Sequence, residues 1–212
     1  MEVNPTSEMR VLDVGFSEKE YSDTDNFIEK NYPYPEMLTA LGIDIPVKFK
    51  TRYPKVTAAH YDGSLFPFED KAFDALWSNA TIEHVGDRSK QILFIKEINR
   101  VSKLAFITTP NRFFPIEVHT CTPLLHYLPK KIFHRYLELI GKGWATGEYM
   151  HLLSLTELTT ILARAGLAKY KIINNQLGGV HHRFLYPILI RRFSLNKVLQ
   201  SDGVKSFVGL LD

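Results

Sequence analysis

The 212-residue chain holds a single cysteine, Cys121, so no internal disulfide can form and the composition suits a reducing compartment. It has no apolar run near the roughly 20 residues that a membrane span requires; stretches such as residues 184–190 fall far short. The start, MEVNPTSEMR, lacks a basic region followed by an apolar run, which argues against a secretory signal and for a cytoplasmic location. Charge of one sign is also scarce. With 26 basic and 23 acidic residues the net charge is +3, too small and too evenly spread to indicate a nucleic-acid partner. There is no C-x-x-C and no H-E-x-x-H, so spacing alone suggests no metal. A P-loop and a G-x-S-x-G elbow are missing too, against nucleotide hydrolysis and serine esterase chemistry.

What is present is ordinary globular material, 45% hydrophobic and 23% charged, of a length that suits one α/β domain. Short β-rich runs alternate with helical periodicity, the pattern of a parallel sheet. The runs lie at residues 10–15, 38–44, 56–61, 73–78 and 104–109. Between the last two, residues 88–101 place Phe94, Ile95, Ile98 and Val101 on one helical stripe. A second helix opens with the capping box Ser154-x-x-Glu157, buries Leu158, Ile161, Leu162 and Ala165, and stops at Gly166. Residues 170–174 and 184–191 read as two further strands around Gly178-Gly179, an antiparallel hairpin at the sheet edge. The expected fold is therefore α/β, a doubly wound, mostly parallel seven-stranded sheet with an antiparallel C-terminal hairpin. Residues 1–193 form the domain, and 194–212 a tail that is a candidate helix packing on the body or on a second subunit of a homodimer. Near the end, His181, His182, Arg183, Arg191, Arg192 and Lys197 form a basic cluster, best read as a solvated face.

Open parallel sheets bind ligands beyond the carboxyl ends of their strands, where the strand order reverses. The residues there are Asp13 and Gly15, Asp44, Asp62 and Gly63, Ser78 and Asn79, then Pro110 and Asn111. Carboxylates at three successive strand ends are more than turn preference alone would supply.

At these positions the sequence resembles the class I S-adenosylmethionine-dependent methyltransferases of the type-11 group. The likeness rests on Val11-Leu-Asp-Val-Gly15, on Leu41-Gly-Ile-Asp44, on Asp62-Gly-Ser-Leu-Phe-Pro-Phe-Glu-Asp-Lys-Ala-Phe-Asp74 and on Ala75-Leu-Trp-Ser-Asn-Ala-Thr-Ile-Glu-His-Val85. Thr108-Thr-Pro-Asn111 and His151-Leu-Leu-Ser154 complete the order. The resemblance implies a Rossmann-like methyltransferase fold with S-adenosylmethionine as cofactor and S-adenosylhomocysteine as product. It implies a small-molecule or glycan acceptor methylated in line. Asp13, Gly15, Asp44, Asp62, Gly63, Ser78 and Asn79 become cofactor-binding candidates, with Asp44 on the ribose diol and Asp62 on the adenine amino group. Asn111, Arg112, Glu117 and His126 are candidate acceptor contacts. His119, or else His84, is the candidate base for a hydroxyl acceptor. Glu83-His84 also reads as a helix-start feature. Tyr32-Pro-Tyr-Pro35 and residues 112–119 are expected to overhang the cofactor.

One departure stands out. After Gly15 the chain reads Phe-Ser-Glu-Lys-Glu-Tyr-Ser22, without the G-x-G-x-G continuation, and 31 residues separate Asp13 from Asp44, against about 20 in the usual dinucleotide arrangement. A wider loop is required, with residues 23–30 supplying a short helix. Two rivals follow: a non-catalytic binding or scaffold protein on this fold, and, less favoured without the glycines, a nicotinamide-dependent oxidoreductase.

Overall fold

The computed structural model describes residues 5–117, 119–147, 150–172 and 188–191. Seven strands make one sheet: β1 (Val11–Val14), β2 (Leu38–Gly42), β3 (Thr57–His60), β4 (Phe73–Asn79), β5 (Ser102–Thr108), β8 (Tyr170–Ile172) and β9 (Ile188–Arg191). Their order is β3-β2-β1-β4-β5-β9-β8. The first five run parallel, and β9 lies antiparallel to both neighbours. The expected seven-stranded sheet and its antiparallel edge are thus present. The Gly178-Gly179 turn, the basic cluster apart from Arg191, and the tail lie outside the described residues.

The chain winds outward in opposite directions from β1 and β4, so the strand order reverses between them. Period-2 alternation assigns the faces. Leu12 and Val14 point to one core, with Leu76, Ala105 and Ile107, under α3 (Arg88–Val101) and α5 (Leu155–Arg164). Val11 joins the other core with Leu38, Ala40, Ile28 and Phe49, beneath α1 (Phe27–Asn31) and α2 (Val47–Arg52). Asp13 takes the same side as Val11, facing α1 rather than α3.

The two helices anticipated from periodicity form as the pattern implies. Phe94, Ile95, Ile98 and Val101 of α3 are all buried, and the Ser154–Glu157 capping box has both reciprocal bonds. Gly166 follows α5 with φ +80°, the left-handed stop that glycine adopts at least cost. After β5 the chain forms a two-stranded ribbon, β6 (Ile116–Glu117) with β7 (Thr122–Pro123). It then forms α4 (Lys130–Leu139), whose Phe133 and Leu137 pack with Ala145 into a small separate core. No described helix is long and apolar enough to cross a membrane.

Candidate active site

A crevice of about 930 Å³ opens at the carboxyl ends of β1 and β4, at the reversal of strand order. It is within the size of pockets that take small ligands and cofactors. β1 delivers Asp13 and Gly15, β3 leads to Asp62 and Gly63, and β4 delivers Trp77 and Asn79. Two hydroxyls pin the ends of β1 and β4 together. Ser78 Oγ donates to the Val14 carbonyl at 3.0 Å and Thr81 Oγ1 to the same oxygen at 3.1 Å. Gly15, at φ +113°, lies so close to Thr81 that a Cβ there would stand 2.2 Å from Oγ1. Any side chain at residue 15 would push the two strand ends apart.

The loop after Gly15 is closed by contacts that replace a glycine turn. Phe16 turns inward, its ring 4.4 Å from that of Phe49 and pressed onto Gly42, where a Cβ would meet it at 2.6 Å. Asn26 Oδ1 accepts from the Ser17 amide at 2.7 Å, and its Nδ2 donates to the Ser17 carbonyl and to Glu20. Glu18 receives the Lys48 and Phe49 amides at 2.6 and 3.0 Å, satisfying free donors at the start of α2. This wider loop brings α1 alongside β1.

Through that placement Glu29 enters the crevice beside Asp13, each only 6% exposed. Neither Glu29 oxygen has a hydrogen-bond donor as partner. Burial, and then the Glu29 charge, hold Asp13 well above the ordinary carboxylate range; burial also raises Glu29. Two adjacent carboxyls in low dielectric favour a shared proton, or a cation between them. Glu29 carries no signal in the sequence: on a five-residue helix beside the buried Ile28, periodicity cannot tell a buried acid from a solvated one.

Asp62 ends its strand exposed at the crevice, its carboxylate accepting from the Ser64 hydroxyl and, at 3.0 Å, from the Ser64 amide; both hold its pKa down. Gly63, at φ +83°, has open space where a Cβ would stand, leaving room for a ring to lie on the backbone. The run from Asp62 to Asp74 is fastened by Arg100. Its guanidinium binds Glu97 at 2.6 and 2.9 Å and the Phe66 and Phe68 carbonyls at 3.0 and 2.7 Å, while Glu97 accepts the Phe66 amide at 2.8 Å.

Several expectations need correction. Asp44 does not line this crevice. Pairing of β2 with β3 ends at Gly42, and residues 43–46 bend away toward Pro46, which has no N–H for a ladder. Asp44 is left exposed in a neighbouring cleft with Glu18 and Lys19, and Phe16 lines both spaces. Ser78 is fully buried and ties strand ends instead of facing the crevice. Asn79 does face it, its Oδ1 held by Thr108 Oγ1 at 2.5 Å.

None of Asn111, Arg112, Glu117 and His126 is among the described residues lining the crevice. Asn111 bridges to Leu153, and the Arg112 amide binds the Leu153 carbonyl at 3.0 Å. His126 Nε2 binds the Arg112 carbonyl at 3.1 Å. Glu117 is buried, accepting from the His119 and Thr120 amides at 2.9 and 2.7 Å. Burial would raise its pKa, but hydrogen bonds from His119 and Thr120 overcome this and bring it to about 2. Tyr32 packs in the core under α1, and among the described residues none of 32–35, 112–117 and 119 lines the crevice.

His119 is not among the described residues lining the crevice; His60 and His84 are the imidazoles on its wall. The Nε2 atoms of His84 and His119 lie 3.2 Å apart, and Glu83 is fully buried beside them, burial pushing its carboxyl up to about 7. Spacing in the sequence suggested no metal, yet folding brings ligand atoms of Glu83, His84 and His119 within 4.8 Å of one another.

Comparison with known proteins agrees with this geometry. Residues 32–104 match the family model for a methyltransferase domain. No curated protein is significantly similar in sequence. Among solved structures, a SAM-dependent methyltransferase from Thermotoga maritima, a possible histamine N-methyltransferase, superposes with TM-score 0.55 at 15% identity, covering 87% of this chain and 82% of that one. A SAM-dependent methyltransferase from Methanosarcina mazei gives 0.52 at 16% identity, covering 92% and 100%. An S-adenosylmethionine-dependent methyltransferase from Mesorhizobium loti gives 0.55 at 13%, covering 87% and 91%. At such identities the structures speak for the fold. Residues 32–104, from β2 through β4 to the start of β5, are thus similar to a methyltransferase domain, and the chain shares the fold of S-adenosylmethionine-dependent methyltransferases.

Proposed function

We propose that the chain binds S-adenosylmethionine in the crevice between the ends of β1 and β4 and methylates a small-molecule or glycan-type acceptor there. The observation that carries this reading is the buried Asp13–Glu29 pair on the crevice wall, in which neither Glu29 oxygen has a hydrogen-bond donor. Such a pair suits a ligand that brings positive charge, and this cofactor carries both an ammonium and a sulfonium. When bound, the sulfonium supplies an electrophilic methyl group for in-line transfer.

This chain's residues bind, orient and exclude water. Asp62 is the right chemical type to accept from an adenine amino group, and Gly63 leaves the backbone open to the ring. Asp13 and Glu29 would hold the cationic end, taking over from the absent glycine turn. Trp77 closes one wall with apolar surface. Asn79, Thr81 and His84 form the rim where an acceptor would approach. A non-catalytic binding module is the second reading, favoured by Phe16, which fills the space against Gly42 that a glycine turn leaves free.

Titration calorimetry with S-adenosylmethionine and S-adenosylhomocysteine tests the proposal. Saturable one-to-one binding is expected, weakened about tenfold, or roughly 1.4 kcal/mol, by Asp62→Ala and unchanged by Asp44→Ala. Absence of binding at millimolar ligand would transfer the chain to the scaffold reading, and preference for a nicotinamide dinucleotide to an oxidoreductase.

A further inference from the structure

Beside the crevice, two turns far apart in sequence converge on one point. Glu83 and His84 lie on the single helical turn at Ile82–His84 that follows β4, and His119 lies on the turn between β6 and β7. His84 Nε2 and His119 Nε2 are 3.2 Å apart, and Glu83 Oε1 is 4.0 Å from His119 Nε2. Oε1 is buried without a hydrogen-bond partner, although Oε2 accepts from Thr109 Oγ1 at 3.1 Å. A fully buried carboxylate oxygen aimed at two imidazole nitrogens, itself unpartnered, is costly unless something cationic sits between them.

The spacing fits a metal. Ligand atoms 2.0–2.1 Å from a tetrahedral ion stand roughly 3.3 Å apart, close to the separation of the two imidazole nitrogens. Small side-chain rotation would bring Glu83 Oε1 to the same distance. The outer contacts suit it as well. His119 Nδ1 lies 2.8 Å from Glu117 Oε1, an arrangement in which Nδ1 donates to the carboxylate and Nε2 is left to present its lone pair. A carboxylate behind a ligating histidine fixes its tautomer and strengthens it as a donor, while Thr109 orients Glu83 from behind.

We infer that Glu83, His84 and His119 form a site for one first-row divalent cation of the zinc type, with Glu117 and Thr109 as its outer support and a coordination position open to the crevice through His84. Two imidazoles and one carboxylate make a donor set for zinc, ferrous or cobaltous ions rather than for magnesium or calcium, which prefer oxygen. Cation binding is independent of the methyl-transfer reading. Its consequence for an acceptor rests on that reading: a lone pair of the acceptor would take the open position, fixing its approach and acidifying a hydroxyl.

The test uses the full chain stripped with a chelator and titrated with Zn2+, Co2+ and Mg2+ without cofactor, followed by metal analysis after desalting. One retained equivalent of zinc is expected, with visible absorption of tetrahedral cobalt and no retention of magnesium. His84→Ala, His119→Ala and Glu83→Gln should each weaken zinc at least tenfold, with circular dichroism verifying the fold. His84 is half-buried on the crevice wall, so its variant decides if Glu83→Gln fails to fold. No stoichiometric zinc, or zinc retained equally by His84→Ala and His119→Ala, overturns the site. Calorimetry with S-adenosylhomocysteine on the metal-free protein is read separately, so failure of one proposal leaves the other standing.

Discussion

Glu29 shows how a single side chain that lines a crevice can oppose stability. Its folded pKa and that of Asp13 are raised, so the folded state holds protons that the unfolded chain releases at lower pH. The stability this contributes is complete below the ordinary carboxylate range and is lost as pH rises through the raised values. Glu29→Gln cannot ionise and loses part of that dependence. Thermal melts of the ligand-free protein should therefore coincide with the parent near pH 4 and exceed it at pH 8 by about 1 kcal/mol, or about 3 °C for a chain of this size. Cofactor affinity should fall in the same variant, because a counter-charge is gone; a variant destabilised at pH 8 would show that the carboxylate has an unseen structural partner. At this scale the sequence placed Asp13, Gly15, Asp62, Gly63 and Asn79 at strand ends where the crevice opens, whereas Asp44 and Ser78 do not line it. One residue past a strand's last pair, the chain is free to turn, and a hydroxyl at a strand end is as well used inward on a carbonyl as outward on a ligand.

Among the elements, the run from Asp62 to Asp74 has little secondary structure of its own and depends on a charge from α3. Arg100 holds two of its carbonyls, and Glu97, 4% exposed, has Arg100 as its counter-ion. Removing the guanidinium leaves a buried carboxylate without its cation and two carbonyls without donors. Arg100→Ala should lower unfolding free energy by about 2 kcal/mol in denaturant titrations, less than a fully buried pair would because the arginine is partly solvated. It should also weaken cofactor binding through Asp62; a loss below a few tenths would mean that the run stands unaided. The loop after Gly15 reads the opposite way. Its missing glycines were visible in the sequence, as was the need for a short helix near residues 23–30. That Phe16 would cover Gly42, and that Glu18 would serve the start of α2, required the fold, because both contacts join segments about 30 residues apart.

For the whole molecule, burial sets the order of stability. β1 and β4 lie mid-sheet with helices on both faces, whereas residues 17–25 are held at the surface largely by polar contacts. Native-state hydrogen exchange should find amides of Leu12 and Leu76 opening only with global unfolding, and those of residues 19–25 exchanging far earlier. Equal protection in both would contradict this division.

The sequence alone determined the sheet, the helices α3 and α5 over one of its faces and the edge at which the crevice opens, because alternation, helical stripes and caps act over a few residues. Tertiary structure alone decided which acids share the crevice. It set Glu29 beside Asp13, turned Asp44 aside and gathered Glu83, His84 and His119, since charge proximity in a low dielectric depends on distance through space, which spacing along the chain does not encode.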